Sequence, residues 1–520
     1  MRIAVEGCAH GELEKIYDTI EALASMSSSK IDLLICCGDF QATRNLEDLE
    51  SMAVPPKYRE MCTFYKYYTG EKIAPILTIF VGGNHEASNH LQELPYGGWV
   101  APNIYYLGYS GVVNIGGIRI AGISGIFKGH DHHRGRFEKV PYTKNTIRSV
   151  YHVRNLDVFR LKQMSSPIDI AVSHDWPQGV YNYGDKANLV RMKPFFKDEV
   201  QDDKLGSPVN SELLYKLKPK YWFSAHLHVK FAAVIPHKNE DGKVESVTKF
   251  LALDKCLPKR QFLQVLEIEH DPAKELEIEY DLEWLTILHY TNHLICVDSG
   301  MNYLPNAGRS DERWIFTPTE EEKNFILEKM ENDLKVPKNF KATVPGYNQE
   351  SSPSFHTTPT KGRKGLNPQT VTFCQKLGID DPLALLLEKE GPGRTPDGGI
   401  GDISDPNLSF IDSEISGVCS GSDENDKSEN SESEKDLVES PSNCRSPMKL
   451  PAPKFVEEVT PDERPESSIN ATQAKDQGSP PLFIIDEGSK RSVDETPIST
   501  PSQGTKKFKR RNQSLYMNED

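Results

Sequence analysis

The sequence predicts an α/β layered domain, β-sheets flanked by helices, followed by a smaller C-terminal accessory domain and a disordered acidic tail. Three observations carry that expectation. Short, near-continuous apolar runs rich in Ile and Val recur through the first 235 residues; the stretches between them hold apolar residues at helical spacing; and polarity rises steeply toward the C-terminus. A strand covered on both faces has no solvent side to place polar residues on, so such runs point to a sheet packed from above and below. Strands alternating with helices then give a layered α/β arrangement.

Taken in order, Ile3-Ala4-Val5 reads as the first strand, and residues 12–24, with Leu13, Ile16, Ile20 and Leu23 on one stripe, as the helix that covers it. Residues 31–36, 75–81, 118–123, 168–172 and 221–224 are the next predicted strands. Residues 262–268 and 285–288 also read as strand-like, and 320–334 as a charged helix with Phe325, Ile326 and Met330 on one face. The expected domains are 1–235, 236–386 for the accessory domain and 387–520 for the tail.

The chain has 520 residues and a net charge of −15, with 37% hydrophobic residues. From residue 350 onward, 20 Lys and Arg stand against 30 Asp and Glu, so the tail carries most of the acidity. The total charge therefore says little about what the folded part binds. Segments such as Ser422-Asp423-Glu424-Asn425-Asp426-Lys427-Ser428-Glu429 hold too little apolar surface to offset their ordering entropy. No apolar run approaches the roughly 20 residues that span a bilayer, and the polar turn after Val5 is unlike a signal peptide. No membrane partner is expected. Nine scattered cysteines without paired spacing suggest a reducing compartment. The tail ends in Lys490-Arg491 and Lys506-Lys507-Phe508-Lys509-Arg510-Arg511, two clusters that read as a signal for an import receptor and hence a nuclear location, with shuttling to the cytoplasm. Nonspecific RNA attachment by a basic arm is the alternative.

The chemistry lies where the strands end. The first run leads to Cys8-Ala9-His10, the second to Gly38-Asp39, the third to Gly83-Asn84-His85-Glu86, the fifth to His174 and the sixth to Ala225-His226-Leu227-His228. Loops at the carboxyl ends of strands in open α/β sheets converge on one crevice. Sulfur, nitrogen and oxygen donors gathered there suit a transition metal better than Mg²⁺ or Ca²⁺. Each piece alone has a plainer reading. A single His-x-His or Gly-Asp is common in loops, a buried cysteine such as Cys8 usually packs as a small hydrophobe, and Cys36 and Cys37 precede the loop as core residues. It is their shared register that is hard to ascribe to coincidence.

The order of these motifs resembles that of the calcineurin-like metallophosphoesterases: D-x-H, G-D, G-N-H-[DE], a lone His, then G-H-x-H. Two positions depart, Cys8 standing for the aspartate and Ala225 for a glycine. The cysteine, with the segments 89–99 and 146–154, is similar to the RNA lariat debranching enzyme family. The resemblance implies a metallophosphoesterase sandwich and a two-metal centre. Asp39 would bridge the ions, with Cys8, His10 and His228 on one and Asn84, His174 and His226 on the other. Such centres activate water and neutralise phosphoryl charge. The soft thiolate implies Fe²⁺, Zn²⁺ or Mn²⁺, mixed or partly occupied. His85 would be the catalytic acid at the leaving oxygen, a task suited to imidazole.

The implied substrate is a branched intron lariat, cut at its 2′–5′ phosphodiester, with splicing-associated proteins as further partners. Residues 124–154, with seven basic side chains against two acidic, correspond to that family's lariat-recognition insert. Lys128, Arg134, Arg148 and His152 are its candidate RNA contacts. An ordinary solvated loop is the plain alternative. Two other functions remain open on sequence alone: a phosphoprotein phosphatase, and a non-catalytic scaffold of the same fold. The second would have no need to keep seven ligand-competent positions and His85.

Overall fold

A computed structural model describes residues 1–306, 312–348 and 365–389. These fall within a single unit, Met1–Pro396. The acidic tail from residue 390 and its basic clusters lie outside the described residues.

Two sheets form the frame. The first has the order β12-β1-β2-β3-β5-β4, made of β1 (Arg2–Glu6), β2 (Leu33–Cys36), β3 (Leu77–Phe80), β4 (Gly98–Ala101), β5 (Ile104–Tyr106) and β12 (Leu263–Glu267). The second runs β10-β11-β9-β8-β7-β6-β13, from β6 (Ser110–Ile115), β7 (Ile118–Ile123), β8 (Ile170–Ser173), β9 (Tyr221–Ser224), β10 (Phe231–Lys238), β11 (Val244–Ala252) and β13 (Ile278–Tyr280). The centres are parallel: β1 with β2 and β2 with β3 in one sheet, β7 with β8 and β8 with β9 in the other. Parallel strands bring their carboxyl ends to the same edge, which is what places the loops with the expected ligand positions together.

The strand alternation explains the layers. Ile3, Val5, Ile35, Ile79 and Val81 face inward and share one buried cluster with Ile120, Ile170, Val172 and Phe223 of the second sheet. Ala4, Leu34 and Phe80 point outward to Leu13, Ile16 and Ile20 of the helix Leu13–Ser27. Ala121, Ile123, Ala171 and Trp222 point outward on the other side, to Val158 and Leu161 of the helix Asn155–Lys162 and Leu213 and Leu214 of the helix Pro208–Leu217. The result is a sandwich with helices on its outer faces. Both sides of the central strands are dry, as the unbroken apolar runs require, whereas β10 and the first half of β11 keep an exposed face.

The later part of the chain builds onto both sheets. β12 pairs antiparallel with β1, β11 runs parallel to β9, and β13 pairs with β6. The boundary read after residue 235 falls inside β10. Residues 285–288, expected as a strand, lie instead in the helix Leu282–Tyr290, whose first turn is capped by Asp281 accepting the Trp284 N–H at 3.0 Å. Residues 283–288 are all buried, and a helix buried all round shows no polar stripe to betray its period. The charged helix spans Glu320–Lys329 and opens with a Thr319/Glu322 capping box. It buries Ile326, with Met330 buried just past its end, while Phe325 is about half exposed. Phe64, Tyr65, Tyr67 and Tyr68 are buried on the helix Phe64–Tyr68, and the Tyr68 hydroxyl donates to Val344 O at 2.9 Å, so this cluster is packing.

Candidate metal centre

All seven expected ligand positions and His85 lie at the carboxyl ends of β1, β2, β3, β8 and β9 or in the loops that follow. The main chain is bent to deliver them. His10, Asp39, His226 and His228 have φ of 45°, 46°, 63° and 49°, the left-handed region that costs a residue with a Cβ roughly 1–2 kcal/mol. Four such residues in one place mark a site whose surroundings hold a strained geometry. Two glycines give it room. Gly38, at φ 109°, has no Cβ to strike the His174 ring, and a Cβ on Gly83 would run into Asp39.

The donors form two sets that meet at Asp39. Cys8 Sγ, a nitrogen each from His10 and His228, and an Asp39 oxygen lie within 4.8 Å of one another. In this set His10 Nε2 is 3.4 Å from His228 Nε2 and 3.6 Å from Asp39 Oδ2. In the other, His174 Nε2 is 3.1 Å from Asn84 Oδ1, 3.2 Å from His226 Nδ1 and 3.3 Å from Asp39 Oδ1. Donors held about 2.0–2.3 Å from a tetrahedral ion are themselves roughly 3.3–3.7 Å apart; the His10 separations lie in that range, and those around His174 Nε2 lie at or just below its lower end. Facing imidazole nitrogens without a cation can share only a single proton between them. The donors fit a pair of transition-metal ions.

Burial sets the protonation states. It is the main cause holding His10 and His226 down to about 3, and it lowers His174 and His228 as well. All four rings are thus kept neutral, the form that ligates. Burial, then the charges of Asp39 and Glu6, push the Cys8 thiol up, against a lowering hydrogen bond from the His226 N–H at 3.2 Å. A thiolate at this position therefore needs a cation beside it. Burial opposes the charge of Asp39 too, but His174, His85 and His10 and the His85 N–H outweigh it and hold the carboxyl far below its ordinary range.

Surrounding groups orient the rings. His174 Nδ1 donates to Cys37 O at 2.8 Å, which leaves Nε2 as the lone-pair donor. The Gln41 amide meets His10 Nδ1 at 3.2 Å. The amide nitrogen faces the ring; with the amide flipped, its oxygen would accept the Nδ1 proton and free Nε2. The His85 ring is about one quarter exposed, with Nδ1 3.8 Å from Asp39 Oδ2. It is more open to solvent than the His10 and His174 rings.

Two residues here were not singled out by sequence. Glu86 is buried, its Oε1 accepting the N–H groups of Phe40 and Gly83 and its Oε2 that of Gln41, each at 2.8 Å. It thereby ties the Asp39 loop to the Asn84 loop. Burial and the Asp39 charge push Glu86 up to about 8, against those three N–H groups; donors without a competing acceptor favour the carboxylate. Its place in the Gly83–Glu86 motif was the available signal. Lys255, bridged to Cys8 across a short β-contact, adds positive charge that further lowers His10 and His228. Nothing local in the sequence announces it.

The basic segment 124–154 borders this centre: Gly125 donates to Gly82 O at 2.8 Å, and Ile126 bridges His152. Lys128 is half-buried, near enough for its charge to act on His226, and Arg148 is exposed. Arg134 is partly exposed and meets Asp131 Oδ1 at 3.3 Å. His152 differs from expectation. Its ring is buried, with Nδ1 2.7 Å from Asp131 Oδ2, and it presents no face for a base to stack on. Arg136 and Arg154 are also drawn inward, Arg136 onto Asp157 and the Tyr109 ring, Arg154 onto Glu138. The surface is thus less basic than the composition suggests. Internal carboxylates 3 to 21 positions away in sequence consume part of that charge, and no periodicity reveals the pairing.

Comparison with known proteins agrees with the geometry. Residues 1–230 match the calcineurin-like phosphoesterase family and residues 245–382 the family described as lariat debranching enzyme, C-terminal domain. A lariat debranching enzyme of Drosophila melanogaster is 50% identical over 558 aligned residues, covering 99% of each chain. One from Homo sapiens is 47% identical over 537, covering 99% of this chain and 98% of its own. One from Arabidopsis thaliana is 49% identical over 379, covering 73% of this chain and 86% of its own.

Proposed function

The chain belongs to the lariat debranching enzyme family, and from that membership we propose that it is a metal-dependent phosphodiesterase that hydrolyses the 2′–5′ bond at the branch point of excised intron lariats. The products are linear RNA with a free 2′-hydroxyl and a 5′-phosphate. The observation that carries the reading is the pair of donor sets sharing Asp39, one of them containing the Cys8 thiol, beside an exposed basic segment.

Cys8, His10 and His228 would hold one divalent ion and Asn84, His174 and His226 the other, with Asp39 serving both. When bound, such ions supply an activated water and offset charge on the phosphoryl oxygens. The chain's own residues do the rest. His174 is locked by Cys37 O so that one nitrogen alone faces the site. Glu86 keeps the two loops in register. His85, open to solvent and tethered through its main chain, donates the proton that the departing 2′ oxygen requires as the P–O2′ bond breaks. The thiolate donor favours Fe²⁺ or Zn²⁺ on its side, with Mn²⁺ supporting activity less selectively.

Lys128, Arg134 and Arg148 are assigned to the RNA backbone around the branch, where irregular single strands expose phosphates and bases together. The basic clusters at the tail's end are assigned to an import receptor, giving a nuclear location close to splicing-associated proteins. Metal analysis of the purified protein, with a gel assay of branched 2′–5′ against linear 3′–5′ RNA, tests the whole reading. The expected result is bound transition metal and cleavage confined to the branch. Cleavage of both linkages, or preferred turnover of phosphomonoesters, would replace it with a broader phosphatase.

A further inference from the structure

A second group of metal-competent side chains lies within the basic segment, and none of its members belongs to the centre described above. His130 and Asp131 sit on the short helical turn Gly129–His132, while His152 comes from the returning arm of the same segment. His152 Nδ1 is 2.7 Å and His130 Nε2 3.2 Å from the same oxygen, Asp131 Oδ2. The three donor atoms all lie within 4.8 Å of one another. Asp131 and His152 are buried, whereas the His130 ring is 65% exposed and stands at the mouth.

A hydrogen-bonded Asp–His pair accounts for one imidazole here, not for two. For both nitrogens to donate to Oδ2, each must carry its proton on the ring atom that faces it. Arg134 already serves the other oxygen, Oδ1, at 3.3 Å. A divalent ion makes a different use of the same geometry, taking the lone pairs of two neutral imidazoles and one carboxylate oxygen. Donors about 2.0–2.2 Å from such an ion are roughly 3.4 Å apart. The His130–Asp131 separation of 3.2 Å is close to that value, and the 2.7 Å of His152–Asp131 needs a movement of only a few tenths of an ångström. Exposure leaves His130 free to adjust. Burial, which opposes charge on His152, favours its neutral form.

We propose that His130, Asp131 and His152 form a third metal site, taking a single borderline dication of the Zn²⁺ class with solvent completing the shell. Two imidazoles and a carboxylate suit that class over Mg²⁺ or Ca²⁺. The ion clasps the Gly129–His132 turn to the arm carrying His152, fixing the shape of the basic segment next to the catalytic crevice. The nearby Arg134 cation makes this site weaker than the two-ion centre, so it fills last. The assignment does not depend on what the protein hydrolyses.

Zinc uptake by the full-length protein, followed by equilibrium dialysis and elemental analysis, provides the test. His130→Ala removes an exposed ring and leaves the fold in place, which the melting temperature without added metal will verify. The expected result is about one equivalent of zinc fewer in His130→Ala than in the parent, lost from the weakest class. His130→Cys should restore the equivalent. Loaded with Co²⁺, it should add thiolate-to-cobalt absorption beyond that contributed by Cys8. Equal zinc uptake by parent and His130→Ala, or no added absorption in His130→Cys, would overturn the proposal.

Discussion

The backbone N–H of His85 donates to Asp39 Oδ1 at 2.8 Å, while the His85 ring keeps its Nδ1 3.8 Å from Oδ2 of the same carboxylate. The main chain, not the ring, holds this loop against Asp39. Removing the ring leaves the tether whole, so a loss of turnover in its absence reports the proposed proton donation to the leaving oxygen. His85→Ala should lower kcat on branched RNA by roughly 10²–10⁴-fold, with metal content and RNA affinity close to those of the parent. Loss of a metal equivalent in that variant would instead make His85 a ligand.

Cys8 is fully buried, its Sγ accepting the His226 N–H at 3.2 Å, and burial makes its thiolate costly without a cation. A carboxylate at the same position is a harder donor of similar size. Cys8→Asp should move the metal preference of hydrolysis from Fe²⁺ and Zn²⁺ toward Mn²⁺. The ratio of initial rates with each ion, measured anaerobically, checks it. An unchanged ratio would mean that the sulfur does not coordinate.

How much of this was legible beforehand follows from what kind of signal each residue sends. Ile3, Val5, Ile120 and Val172 announce buried strands through the lack of polar neighbours, and β7 and β9 lie where the sequence places them. The convergence of the expected ligand positions was legible because each follows such a run. The helix Leu282–Tyr290 was misread because burial on every side erases the helical period. His152 was misplaced for another reason. Whether a histidine is a surface ring or an interior one depends here on Asp131, a partner 21 positions away, and on the fold that brings them together. Glu86 acts through main-chain N–H groups, and only its place in the Gly83–Glu86 motif hints at it; Lys255 acts through space, with no local sequence pattern.

The buried imidazoles make the centre acid-sensitive. His10 and His226 are held down to about 3, and His174 and His228 are lowered too, in each case chiefly by burial. An unfolded histidine takes up a proton near pH 6.5; the folded rings resist it. Stability from these groups is complete above about 6.5 and is lost as pH falls from there toward 3. Chelator-treated protein should therefore melt at progressively lower temperature between pH 7.5 and 5. Metal-loaded protein should resist until protons displace the ions. A melting temperature flat over that range in chelator would contradict the burial argument.

The clusters Lys490-Arg491 and 506–511 lie outside the described residues and supply none of the expected ligand positions. Removing the residues after Gly504 should shift the protein to the cytoplasm without altering hydrolysis of short branched RNA. Localisation of a fluorescent fusion, together with the hydrolysis assay, reads both effects. Nuclear retention with weakened RNA binding would favour the basic arm as an RNA attachment instead.

Lys128 and Arg148 differ from the other basic residues of segment 124–154 in what they face. Arg136 and Arg154 are committed to Asp157 and Glu138, and Arg134 is partly engaged by Asp131. Lys128 lies near His226, and Arg148 is exposed on the short helix Thr146–Ser149. If these two meet RNA phosphates, Lys128→Glu with Arg148→Glu should raise KM for branched RNA by about tenfold or more while leaving turnover of a small phosphodiester little changed. Each lost phosphate contact should also flatten the salt dependence of binding by about 0.7 in the log–log slope. Arg154→Met should behave differently, lowering the melting temperature because it leaves buried Glu138 with the Ser149 hydroxyl but no cation. Equal effects of the Lys128/Arg148 reversal on both substrates would remove these residues from recognition and assign them to the electrostatics of the centre itself.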